Sequence, residues 1–115
     1  MRYLYLFSIL FSFFATAQID HWESVVLPGD QWEYLVPTSQ PSSNWNQLGF
    51  NASSWNTGNS GFGYGDGDDA TTVSSTMSVY IRKTFTISSS SVVEAIILDL
   101  DYDDGFVAYL NGQEI

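Results

Sequence analysis

The stretch Val79 to Gly112, VYIRKTFTISSSSVVEAIILDLDYDDGFVAYLNG, decides the fold. It holds three strand-like runs, an acidic turn and an Asn-Gly turn. In the first run Val79, Ile81, Phe85 and Ile87 occupy alternate positions, which describes a strand with one buried face. Lys83 breaks that apolar row, so it is expected near a sheet edge or with its ammonium turned outward. Ser88 to Ser91 make a connection. In the second run Ile96, Leu98, Leu100 and Tyr102 fall on one side; Ala95, Ile97, Asp99, Asp101 and Asp103 fall on the other. A helix would scatter those aspartates around its axis, whereas a strand collects them in one row.

Asp103-Asp104-Gly105 reads as a turn, because Asp tolerates the left-handed region and Gly supplies positive φ. Phe106 to Leu110 is apolar on both faces and is expected to be an interior strand. Asn111-Gly112 is a strong two-residue hairpin signal, with Gln113 to Ile115 opening the return strand.

Outward from this stretch, 115 residues are enough for one domain. The first residues, MRYLYLFSILFSFFATAQ, carry an early Arg2, an apolar core from Leu4 to Phe14 too short to span a bilayer, and a small-residue cleavage pattern at Ala15-Thr16-Ala17. Residues 1–17 are therefore expected to be a secretory signal peptide, with an uncleaved anchor as the alternative. The mature protein is expected outside the cell or at its surface. Residues 18–31 form an N-terminal linker with a Pro28-Gly29-Asp30 turn, and 32–115 the domain proper.

No cysteine is present, so an exported chain must rely on its core or on bound metal. The chain carries a net charge of −10, and loss of Arg2 with the leader makes it one unit more acidic. Such a surface repels nucleic acid and anionic lipid, and neither is expected as a partner. Seven of the 13 acids lie in two clusters, Asp66 to Asp69 and Asp99 to Asp104, which favours cations or sugar hydroxyls.

Trp32 to Val36 is a short strand ended by Pro37. Thr38 to Ser78 is rich in Ser, Asn and Gly but punctuated by Trp45, Phe50, Trp55, Phe62 and Tyr64. A disordered linker could not bury so many rings. Ordered loops with one or two short strands or turns are expected, pinned to the core by the aromatics. For any single Trp, core packing outweighs ligand stacking.

Phe62-Gly63-Tyr64-Gly65-Asp66-Gly67-Asp68-Asp69 is a glycine-rich acidic loop. No Lys-Ser/Thr follows it, and its carboxylates would repel phosphate. Closely spaced Asp with available backbone carbonyls suits Ca²⁺, so Asp66, Asp68 and Asp69 are candidate metal ligands; a solvated acidic turn is the alternative. Neither acidic cluster follows the EF-hand pattern. Catalysis is not expected: the chain offers no Cys nucleophile, and its one histidine, His21, sits beside the cleavage site as a bystander.

Taken in order, Trp32-x-Tyr34, then Trp45, Phe50, Trp55 and Gly58, then the acidic loop, then Tyr80-x-Arg82-Lys83-x-Phe85, then Asp103-Asp104-Gly105-x-Val107-x-Tyr109-Leu110-Asn111-Gly112, the chain resembles the galactose-binding-like jelly-roll modules of secreted bacterial multidomain proteins. These sit beside CotH-like, lamin-tail or calcineurin-like phosphoesterase domains. The last part is also similar to the sugar-binding domains of β-galactosidase-type glycosidases and rhamnosidases. Asn51-Ala52 departs from the acidic residues such modules carry after the Phe.

The resemblance implies an all-β jelly-roll sandwich, truncated at the C-terminus because these modules continue past the Asn-Gly hairpin. It implies a non-catalytic module, binding carbohydrate or neighbouring domains of the same longer chain. Candidate ligand contacts are Trp45, Trp55, Tyr64, Asp103 and Asp104. The alternative is a structural spacer that positions a downstream catalytic domain.

Overall fold

The computed structural model describes residues 21–115, so the signal-peptide reading of residues 1–17 lies outside the described residues. The architecture is β-rich, built of small sheets, with no α-helix among the described residues. The first strand, β1 (Gln31–Leu35), follows the Leu27-Pro28-Gly29-Asp30 turn, in which Asp30 N–H donates to Leu27 O at 3.1 Å and Gly29 takes φ 82°. That is the turn expected of Pro followed by Gly.

β1 is the middle of a three-stranded antiparallel sheet. On one side lies β2 (Asn56–Asn59), with Trp32 opposite Gly58. On the other lies β5 (Tyr80–Arg82), with Glu33 opposite Arg82, Tyr34 opposite Ile81 and Leu35 opposite Tyr80. Two short strands between them, β3 (Phe62–Gly63) and β4 (Thr71–Thr72), pair in parallel. Gly58 lies under Thr71, whose Cγ2 would stand 2.6 Å from any Cβ added there, so that crossing requires glycine.

Strand alternation gives the main sheet two dressed faces. Tyr80, Leu35, Glu33 and Arg82 share one. Over it packs an aromatic cluster supplied by the loop before β2. Trp45 is its hub: it stacks on Trp55 at 6.1 Å and 23°, and meets Tyr80 edge-on at 5.0 Å and Tyr109 at 5.8 Å. Phe50 packs on Trp55 at 5.7 Å, and the Arg82 guanidinium lies 5.1 Å from the Phe50 ring centre. Arg82 also pairs with Glu33 (Nε to Oε2, 3.1 Å) and donates from Nη1 to Trp45 O at 3.0 Å. The opposite face carries Trp32, Tyr34 and Ile81, with Phe62 against Tyr34 at 5.2 Å.

The loop from Thr38 to Trp55 is ordered by turn hydrogen bonds, Trp45 N–H to Ser42 O (3.0 Å) and Trp55 N–H to Ala52 O (2.8 Å) among them. Asn51, the departure from the resembled pattern, accepts from Ser53 N–H at 3.0 Å, the turn-closing role an aspartate would fill. Lys83 turns to the sheet edge as expected, donating to Gln31 O at 3.0 Å and lying 3.3 Å from Asp30 Oδ2.

The C-terminal hairpin is formed as read: β6 (Tyr109–Leu110) pairs with β7 (Gln113–Glu114) across Asn111 and Gly112, whose φ values of 50° and 84° are those of a two-residue turn with both central residues left-handed.

Three expectations are corrected. The strand from Val79 stops at Arg82, and Phe85 and Ile87 lie exposed in irregular chain. The run from Ala95 to Tyr102 joins no sheet: Ile96, Ile97, Leu98 and Leu100 are 56, 69, 50 and 40% exposed, and Asp99 and Asp101 are exposed too. Phe106 and Val107 are likewise exposed rather than interior. The reason is common to all three: a strand buries its face only against neighbours, and no described strand pairs with residues 83–87 or 95–107. The tryptophan-bearing loop covers β5 and the hairpin instead of this ribbon. Asp103 and Asp104 make a simple bend, and Gly105, just past it, does not take positive φ. Among the described residues only Ala52 and Val73 are buried, each still 7% exposed, so the aromatic cluster carries most of the apolar packing.

Candidate functional site

The acidic loop runs from the end of β3 to the start of β4. Its ends are clamped by Thr71 N–H to Gly61 O (2.8 Å) and Val73 N–H to Gly63 O (2.9 Å). Gly65 and Gly67, with φ of 104° and 85°, let the chain fold back on itself within this short span. Gly63 is packed so closely under the Asp69 carboxylate that any side chain there would collide with it. Tyr64 is tied down through its hydroxyl, which donates to Thr76 O at 3.1 Å, leaving its ring half exposed.

This folding back brings Asp66, Asp68 and Asp69 together, one oxygen from each lying within 4.8 Å of the others. The electrostatics are those of crowded like charges. The Asp68 carboxyl is held above its ordinary value by its hydrogen bond to Asp66 and by the Asp66 charge, and Asp66 is correspondingly lowered as the acceptor of that bond. Asp69 is raised by loss of solvation first, then by the charges of Asp66 and Asp68. Asp103, distant in sequence, adds repulsion to both Asp68 and Asp69. Three carboxylates at this spacing can hold a metal ion; as all-oxygen donors they fit a hard cation.

Asp66, Asp68 and Asp69 line a cleft of about 780 Å³ together with Tyr102, Asp103 and Asp104. Its lining also includes Trp32 and Ile81 from the second face of the main sheet and Phe62 of β3. The two acidic clusters of the sequence therefore belong to one site. Tyr64, Asp103 and Asp104 all border the cleft, as do the three metal candidates. Trp45 and Trp55 do not: their faces meet each other, Tyr80, Tyr109 and Phe50 on the opposite face of the sheet.

Trp32 is not among the ligand contacts expected from the sequence, yet it borders the cleft, and its Nε1 is buried with no acceptor in the protein. The signal was present in the alternation that sets Trp32 on the same side as Tyr34.

Among the described residues no helix is long and apolar enough to cross a membrane. Comparison with protein-family profiles, with curated proteins and with solved structures finds no match.

Proposed function

We propose that the chain is a non-catalytic, extracellular carbohydrate-binding module of the galactose-binding-like jelly-roll type, appended to a larger secreted protein. The observation that carries this reading is the single cleft that gathers two carboxylate clusters around aromatic rings. Sugars present hydroxyls to carboxylates and their less polar ring faces to aromatic side chains. In this assignment Tyr64, Tyr102 and Trp32 offer ring surface, Asp103 and Asp104 accept hydroxyls, and the Trp32 indole N–H donates. Asp66, Asp68 and Asp69 would hold Ca²⁺, which neutralises their repulsion and supplies a charge that sugar hydroxyls can approach.

The test is a glycan array followed by calorimetry with and without Ca²⁺. Binding that weakens in Trp32→Phe and in Asp103→Asn/Asp104→Asn is expected; an empty array and flat titrations with the intact protein would refute the assignment.

A spacer that positions a neighbouring catalytic domain is the second reading. It is favoured by Trp45 and Trp55, which turn their faces to the scaffold rather than to a cleft. Retained scaffold stability with no sugar binding in any condition would select it.

A further inference from the structure

Residues 95–107 combine three features. Their backbone makes no hydrogen bond to any described strand or loop. Aliphatic and aromatic side chains stand exposed along them, Ile97 at 69%, Val107 at 61% and Tyr102 at 57%. Asp99, Asp101 and Asp103 recur at every second position between the apolar residues and form no ion pair with a cation among the described residues. Unpaired backbone donors and acceptors beside exposed aliphatics make a template for a further strand.

The charge pattern decides which strand. Arg82 and Lys83, the only Lys or Arg of the described residues, are spent on Glu33 and Asp30. Among the described residues, then, no Lys or Arg faces the aspartate row. A second copy fits badly, since it adds a further net charge of −10 and sets aspartates against aspartates. We infer that residues 95–107 are a docking strand for an extended partner segment in which aliphatic residues alternate with Lys or Arg. Such a segment completes the backbone ladder, covers Ile96, Leu98 and Leu100 with its aliphatic side, and places its cations opposite Asp99 and Asp101.

The probe is a synthetic peptide of alternating valine and lysine, with a control of the same composition in which the lysines are consecutive. Hydrogen exchange and calorimetry are read on the intact protein. The expected result is one peptide bound per chain, slowed exchange confined to residues 95–107 and the adjoining hairpin, and binding weakened about tenfold by Asp99→Asn/Asp101→Asn. Leu98→Gly, which leaves the charges in place, is expected to weaken it as well. Equal binding of the block control would reduce the effect to charge attraction and overturn the inference. So would protection outside the ribbon and the adjoining hairpin, or protection of 95–107 in the protein alone, whether concentration-dependent, as for self-pairing, or not.

Discussion

Trp45 meets Tyr109 edge-on, with ring centroids 5.8 Å apart and planes at 85°. Through this contact a loop residue fastens the C-terminal hairpin to the three-stranded sheet, because the same indole also meets Tyr80 of β5 at 5.0 Å. With only Ala52 and Val73 buried among the described residues, this joint is a principal tertiary link. Trp45→Ala is expected to destabilise the protein by about 2–3 kcal/mol, less than a fully buried Trp would cost. A urea titration measures it, and a change below half a unit would show that the cluster is not the core. The cycle with Tyr109→Ala is expected to return a coupling of about 1 kcal/mol.

Arg82 makes three different contacts: an ion pair with Glu33, a hydrogen bond to Trp45 O and a place over the Phe50 ring. Arg82→Lys is expected to recover less than half of the loss seen in Arg82→Ala, since an ammonium cannot hold the planar fork. Full recovery by Lys, read as urea midpoints at equal slope, would contradict this. The Glu33 partner is partly exposed, so Glu33→Gln alone is expected to cost about 0.5–1 kcal/mol.

Gly112 takes φ 84°, and a side chain on it would run into Gln47. Gly112→Ala therefore meets both backbone strain and a clash, with an expected cost of about 1–2 kcal/mol. Cross-strand amide contacts between Tyr109 and Glu114 are expected to weaken in nuclear Overhauser spectra of this variant. Their persistence at full strength would show that the turn tolerates a Cβ.

The acidic loop gives a pH dependence with a definite sign. Asp68 and Asp69 lie above the ordinary value of 3.8, so the folded state holds their protons more tightly than the unfolded chain does. Their contribution is present below pH 3.8 and is lost as pH rises through the raised values. Asp30 is lowered by its bond from Leu27 N–H and by Lys83, and Asp66 by Asp68, so their contributions run the other way and fade in acid. Asp69→Asn is expected to raise Tm by about 2 °C at neutral pH, with no gain near pH 3. Calorimetric scans at both pH values check this, and a gain that persists in acid would exclude repulsion as its cause.

Ca²⁺ should invert that result. A cation held by the three carboxylates raises the Tm of the unaltered protein by an amount that grows with Ca²⁺ concentration. Asp66→Asn and Asp68→Asn are expected to lose that rise. Equal rises in all three proteins would place the ion elsewhere.

Local signals carried through where a few adjacent residues suffice. Pro28-Gly29 and Asn111-Gly112 make the turns their backbone preferences dictate, and Trp32 to Val36 supplies the central strand almost to the residue. The closeness of Asp66, Asp68 and Asp69 was equally legible, because only Gly67 separates the first two and the last two are adjacent. Alternation in Ile96 to Tyr102 states which side chains share a side, but alternation cannot supply the neighbour that makes a strand bury them. Only the tertiary structure decided that Trp45 and Trp55 spend their faces on Tyr80, Tyr109 and Phe50, that Trp32 borders the cleft, and that Asp103 stands near Asp68 and Asp69. Each of these depends on contacts between residues far apart in the chain, whose partners are chosen by packing and register rather than by local sequence.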